Sequence, residues 1–180
     1  MVVVNPPSGQ VLHRERRFEV HLVDVPLRSG QTESRALLVH PGAVVVLAIT
    51  DDDRVVMIQN RRWTLGTTLM ELPAGTLEAG EKPEHCALRE LREETGFEAQ
   101  SIEHILSFFA APGTSTELMY AFLAKGLREV GQQLEADEEI DVELVELATL
   151  RRHLDSGQIN DGKTIAVLGH YLLTRESASP

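Results

Sequence analysis

Residues 75–97 read GTLEAGEKPEHCALRELREETGF, and this stretch decides how the rest of the chain is read. Pro83 stands where a helix accepts proline, in its first turn, and Cys86, Ala87, Leu88 and Leu91 supply apolar positions up to Thr95. Gly96 follows directly, so a proline-started, glycine-ended helix is expected over 83–95. On that helix Glu90 and Glu94 lie four residues apart on one face, with Glu93 beside them and Arg89 one position before Glu90. Like charges at this spacing cost an isolated helix about 0.2–0.5 kcal/mol, so the crowded glutamates call for a counter-charge. A divalent cation supplies one. Carboxylate oxygens suit Mg²⁺ or Mn²⁺, and Mg²⁺ takes a few carboxylates with water and substrate phosphate in preference to a complete protein cage. Arg89 can pair with a carboxylate and fix its rotamer. On these residues alone, an ordinary charged helix face is the competing reading.

The spacing decides between them. Gly75, five residues, Glu81, seven residues, Arg89-Glu90-Leu91, one residue, Glu93-Glu94, one residue, Gly96-Phe97 fixes seven identities and two apolar positions. At average residue usage this arises by chance in one such chain in roughly ten million. The pattern resembles the signature of the Nudix hydrolases, which cleave nucleoside diphosphates linked to another moiety through a loop-helix-loop that holds divalent metal. The flanks are His40-Pro41-Gly42-Ala43, Gln59-Asn60-Arg61-Arg62 and Glu71-Leu72-Pro73-Ala74 upstream, with Pro112-Gly113-Thr114-Ser115-Thr116-Glu117 downstream. They are similar to the ADP-ribose pyrophosphatase branch, including its relatives that act on other nucleoside diphosphate sugars, over about residues 20–171. Asn60 departs from that branch, which often carries an aromatic there.

Working outward, the chain has 180 residues, enough for one domain that buries about 70% of its unfolded surface. Its 17 Lys and Arg against 28 Asp and Glu give a net charge of -11, which excludes a basic footprint for nucleic acid. Eight aromatics (five Phe, two Tyr, one Trp) make a broad base-stacking surface an unlikely use of the fold. Cys86 is the single cysteine, so no intramolecular disulfide is possible and a reducing, cytoplasmic setting is expected. The longest apolar runs are far shorter than the roughly 20 residues of a membrane-spanning helix, and the first residues lack the pattern of a signal peptide.

Residues 1–12, with Asn5-Pro6-Pro7-Ser8-Gly9, read as a lead-in. Alternation over 17–23 and an extended run over 34–40, joined at Arg28-Ser29-Gly30-Gln31, predict a two-stranded hairpin. Residues 43–49 and 54–58 are apolar runs of the kind buried on both faces, and strands are also expected over 101–109, 117–124 and 140–145. Leu147, Leu150 and Leu154 recur at helical spacing, and Asp161 can cap a last helix bearing Ile165, Leu168 and Leu172. The fold expected is α/β, a Nudix fold in which a mixed sheet lies between helices, with an N-terminal β-hairpin extension. The division is 1–42 for lead-in and hairpin and 43–175 for the catalytic domain. The resemblance implies a homodimer through the hairpin.

The resemblance also implies roles. Glu90 and Glu94 are metal ligands, joined by the Ala74 carbonyl, with Glu93 bound directly or through water. Glu81 and Arg89 support them, while Gly75 and Gly96 shape the turns. Arg61 and Glu117 hold the phosphate or sugar, and Gly113 lets its loop approach. The general base falls in the acidic run 135–143, where Ile140 and Val142 align with a strand and select Glu138. Glu139 and Asp137 remain alternatives, and so does an exposed acidic loop. Cys86 is read as packing, the seven histidines as surface or satisfied core residues, and Trp63 as local packing with a cover over the pocket as its alternative. The expected reaction is Mg²⁺-dependent hydrolysis of ADP-ribose or a related nucleoside diphosphate sugar, with GDP-mannose as an alternative substrate. A noncatalytic module that senses nucleotide sugar is the alternative of a different class. Action on nucleoside triphosphates or capped RNA fits Pro112 and the upstream pattern poorly.

Overall fold

The structure, a computed structural model, describes residues 4–136 and 138–178. Its centre is β4 (Ala43–Ala48), every residue of which is buried. Alternation sends its side chains to two cores. Val44, Val46 and Ala48 meet Cys86, Ala87 and Leu91 of α1 (Pro83–Thr95), whereas Val45 and Leu47 meet Leu150 of α2 (Leu147–Asp155) and Val167 and Leu168 of α3 (Gly162–Ala178). Burying one leucine as fully as Leu91 is worth about 1.5–3 kcal/mol. A strand covered on both faces has no polar face to show, which is why its sequence reads as one apolar run.

β4 pairs in parallel with β9 (Leu118–Glu129) and antiparallel with β7 (Ala74–Thr76), and β8 (Phe97–Phe109) completes a mixed four-stranded sheet in the order β7-β4-β9-β8. β5 (Arg54–Arg62) lies between β6 (Thr67–Glu71) and β10 (Ile140–Glu146) in a second, antiparallel sheet. A bridge between Ile49 and Val55 links the two where the chain turns from β4 into β5. Helices on both sides make the expected sandwich. No helix of the described residues is long and apolar enough to cross a membrane.

Two expectations about the amino terminus are corrected. Residues 9–12, read as the end of the lead-in, belong to β1 (Gly9–Arg14), which pairs antiparallel with β2 (Glu19–Pro26), so with β3 (Thr32–Val39) the extension is a three-stranded sheet and not a two-stranded hairpin. Five of the six β1 residues are exposed, so no inward-facing alternation marks it in the sequence. β6 and β7 also went unread, being short and half exposed. The extension is tied to the body where Leu38 N–H donates to Thr114 O at 2.9 Å and Thr116 N–H to Leu38 O at 3.0 Å.

Candidate active site

Helix α1 ends as its sequence implies. Gly96 has φ 74°, and its N–H reaches Arg92 O at 2.9 Å; a Cβ there would lie 2.7 Å from Gln132 N, so the turn needs glycine. The glutamate-bearing face of the helix lies against β7. Gly75 on β7 receives it: a Cβ would sit 1.8 Å from Glu90 Cδ, so only glycine lets the Glu90 carboxylate pass this close to the backbone. One residue earlier, Ala74 N–H donates to Glu94 Oε2 at 2.8 Å.

Arg89 organises the face. Its guanidinium holds Glu81 through two bonds of 3.0 Å, Glu90 Oε1 at 2.7 Å and Glu93 Oε2 at 3.0 Å. That pairing draws the Glu81 carboxyl down to about 2, with a hydrogen bond from the Glu78 backbone helping against burial. Its neighbours go the other way. Burial pushes Glu90 up to about 7, with Glu93 and Glu138 adding and Arg89 opposing. Burial pushes Glu94 up to about 8, with Glu90 and Glu138 adding and the Ala74 N–H opposing. Arg89 and the Ala74 N–H offset this burial only in part, and a cation in the cleft would favour the charged carboxylates further. Glu90, Glu93 and Glu94 each keep one carboxylate oxygen without a hydrogen bond to the described residues. No three carboxylate, imidazole or thiol groups among the described residues converge into a finished cage. A finished cage is not what Mg²⁺ selects, since it keeps several waters and takes one or two carboxylates with substrate phosphate. The donor set therefore fits a hard divalent ion.

These carboxylates line a cleft of about 970 Å³. Ala74, Gly75, Arg89, Arg61, Glu117 and Glu138 line it too, whereas Glu81, held behind Arg89, Gly96 at the helix end, and the exposed Gly113 lie outside the lining. Arg61 faces water and pairs loosely with Glu139, at 3.4 Å. Glu138 accepts from Glu135 N–H at 2.9 Å, and its charge acts on both Glu90 and Glu94. Asp137, the other alternative for the base, lies outside the described residues.

Residues 39–168 match the family model for the NUDIX domain. The chain belongs to that family. It is 38% identical over 172 residues to the ADP-ribose pyrophosphatase of Bacillus subtilis (strain 168), covering 94% of this chain and 89% of the relative. It is also 38% identical over 164 residues to the methanol dehydrogenase activator of Bacillus methanolicus, covering 90% and 88%. A solved structure described as an ADP compounds hydrolase superposes with a TM-score of 0.82 at 20% identity over 99% of both chains, a likeness of fold. This Nudix hydrolase carries its catalytic helix, the mixed sheet and the flanking helices in the arrangement its signature implied.

Several residues in and beneath the Nudix cleft had no role in the sequence reading, although Asp161 was expected as the helix cap it forms. Glu71 is fully buried at the end of β6, takes Arg62 through bonds of 2.8 and 2.5 Å, and also takes Lys163. Lys163 reaches Asp161 at 3.0 Å, and Asp161 caps α3 by accepting from Thr164 N–H at 3.0 Å and Oγ1 at 2.6 Å. Thr164 Oγ1 in turn receives Leu72 N–H at 2.9 Å. This network locks the chain two residues before Ala74. Glu71 lay in the quoted flank, and an acid in a run otherwise read as apolar was the available signal. At the other rim Arg16 and Arg17, on the β1–β2 turn, line the cleft and pair with Glu135 at 2.5 to 3.5 Å. Trp63, read as local packing, is instead 86% exposed. It sits in the turn after β5, where no neighbouring element covers it. Cys86 is buried, and burial raises its thiol far above the ordinary range.

Proposed function

We propose that the protein hydrolyses the diphosphate bond of ADP-ribose or a related nucleoside diphosphate sugar, with Mg²⁺ or Mn²⁺, to a nucleoside monophosphate and a sugar phosphate. One observation carries the reading: Arg89 gathers Glu81, Glu90 and Glu93 on a helix face that shares one cleft with Glu94, Ala74 and Glu138. The name of the Bacillus subtilis relative supports the substrate class.

In this mechanism Glu90, Glu94 and the Ala74 carbonyl would hold the ion, with Glu93 reaching it directly or through water. When bound, the ion neutralises diphosphate charge and lowers the pKa of a bound water. Arg89 and Glu81 keep the glutamate rotamers fixed while substrate exchanges. Glu138 takes the proton of the attacking water, a role for which its place beside Glu90 and Glu94 suits it. Arg61 and Glu117 contact phosphate and sugar, and Gly113 leaves its loop free to approach. Attack in line on phosphorus asks the protein for positioning and charge, which is what this cleft supplies. Residues 1–42 then serve as a dimer-forming extension and 43–175 as the catalytic domain, in a cytoplasmic homodimer whose lone thiol stays reduced.

The test is a hydrolysis panel of ADP-ribose, GDP-mannose, UDP-glucose and NADH, with Mg²⁺ and with EDTA. Metal-dependent release of a nucleoside monophosphate from at least one of them is expected. Tight binding without turnover of any would replace this reading with a nucleotide-sugar sensor, and turnover confined to nucleoside triphosphates would overturn it. Light scattering on the same sample checks the dimer: a monomeric mass at micromolar concentration rejects it.

A further inference from the structure

Trp63 is the only tryptophan of the chain and, at 86% exposure, the most exposed of its large apolar side chains. It is not on a loose loop. Residues 63–66 close the β5–β6 hairpin, with Leu65 N–H on Arg62 O at 3.0 Å, Gly66 N–H on Trp63 O at 3.2 Å, and Gly66 at φ 64° supplying the left-handed position. The indole is therefore presented to water from a fixed backbone, and it lines the same cleft as the metal carboxylates. A large flat apolar face held in water at the edge of a polar cleft gains free energy by being covered.

A second observation on the same strand points to the same ligand. Asn60 is 8% exposed and lines the cleft, and among the described residues its side-chain amide has no hydrogen-bond partner. The amide's donors and acceptor therefore open into the cleft, where the polar atoms of a ligand can take them. Three residues of strand place Asn60 and Trp63 about 10 Å apart, with Asn60 in the floor and Trp63 at the rim. A nucleotide can span that distance with its polar atoms inward and its base outward.

We propose that this end of the cleft is a nucleobase subsite, in which the Trp63 indole stacks on the base and the Asn60 amide takes polar atoms of the same nucleoside. The proposal rests on the nucleoside diphosphate reading above and adds to it where the base lies. Stacking accepts any base face, so the subsite gives affinity more than base selectivity. Arg61, two residues before Trp63 and only loosely paired with Glu139, offers its guanidinium to the phosphates of the same nucleotide.

Because Trp63 is the sole tryptophan, emission excited at a wavelength the nucleotides do not absorb reports this side chain alone. Titrating the wild-type protein with AMP and GMP in Mg²⁺ is expected to give saturable quenching, and ribose 5-phosphate is expected to give none. In hydrolysis of whichever panel substrate is turned over best, Trp63→Ala should raise KM about tenfold with kcat within about threefold. Trp63→Phe should stay near wild type, and Asn60→Ala should raise KM by a smaller factor. The proposal is overturned if the nucleotides leave emission unmoved and Trp63→Ala keeps the wild-type KM. It is overturned equally if ribose 5-phosphate quenches as well as AMP, which makes this a sugar site. Emission that shifts with protein concentration alone, without ligand, overturns it in favour of a second copy of the chain covering the indole. Hydrolysis with an unchanged KM removes the subsite and leaves the proposed reaction standing, whereas failure of the whole panel removes the reaction itself.

Discussion

Helix α1 and the run 135–143 are both rich in acid, four carboxylates in thirteen residues and six in nine, yet they use it differently. On α1 the acids are ordered from within. Arg89 holds Glu90 and Glu93 together with Glu81 from just before the helix, Gly75 makes room for the Glu90 carboxylate, and Glu94 is almost fully buried against Ala74 N–H. In the run, Glu139, Asp141 and Glu143 face water, and the order that exists is borrowed: Glu135 is held by Arg16 and Arg17 from the N-terminal sheet. Among the described acids of the run, Glu135 and Glu138 are half-buried and line the cleft, and Glu138 acts on Glu90 and Glu94. Equal density of charge thus separates into a fixed face, the proposed metal site, and a largely exposed surface of which Glu135 and Glu138 reach the cleft. Desolvation, and not the count of acids, makes the difference, because a charge acts strongly only where water does not screen it.

The hardest test of that contrast is Glu94→Gln. The amide keeps an oxygen for Ala74 N–H, so folding should be preserved, while the metal face loses a ligand it cannot replace from solvent. Activity should fall by about a thousandfold or more with a circular dichroism spectrum and melting temperature close to wild type. Activity that survives in Mg²⁺ breaks the metal assignment. A smaller effect separates members of the acidic run. Glu138→Gln should cost about a hundredfold in kcat, the scale of a lost general base, and Glu139→Gln no more than about threefold. Equal losses from the two would mean that the run acts as bulk charge, and the contrast with α1 would vanish.

The α1 half of this contrast was legible in the sequence and the other half was not, for a physical reason. A helix converts spacing directly into a shared face, so Glu90 and Glu94 could be placed together, and Pro83 and Gly96 bound the helix at the ends observed. The central strands were legible because burial on both faces leaves an uninterrupted apolar run, as in residues 43–48. Glu71, Lys163 and Asp161 come from segments up to 92 residues apart, and Arg16 meets Glu135 across 119. No local pattern encodes such pairings. β1 was missed because a strand with little to bury carries no alternation, and Trp63 because local packing is where an isolated tryptophan is usually found. Glu138 was chosen by register against a strand. It does line the cleft, but its role in the chemistry stands on the proposal above.

The smallest effect concerns the support beneath the metal face. Glu81 has its carboxyl held down to about 2 chiefly by the two hydrogen bonds from Arg89. An acid whose folded pKa is below its unfolded value, about 4.5, stabilises the fold fully at pH above that value and loses the contribution as pH falls toward about 2. Glu81→Gln removes this difference, so wild type should melt about 5 °C higher than the variant from pH 6 to pH 8. Below about pH 4.5 the two melting curves should converge. Arg89 retains Glu90 and Glu93 in the variant, so kcat should fall only about tenfold, much less than in Glu94→Gln. A melting difference that persists unchanged at pH 3 would mean that Glu81 acts through packing and not through charge. In that case the order on α1 would not be electrostatic in origin, and its distinction from the acidic run would rest on burial alone.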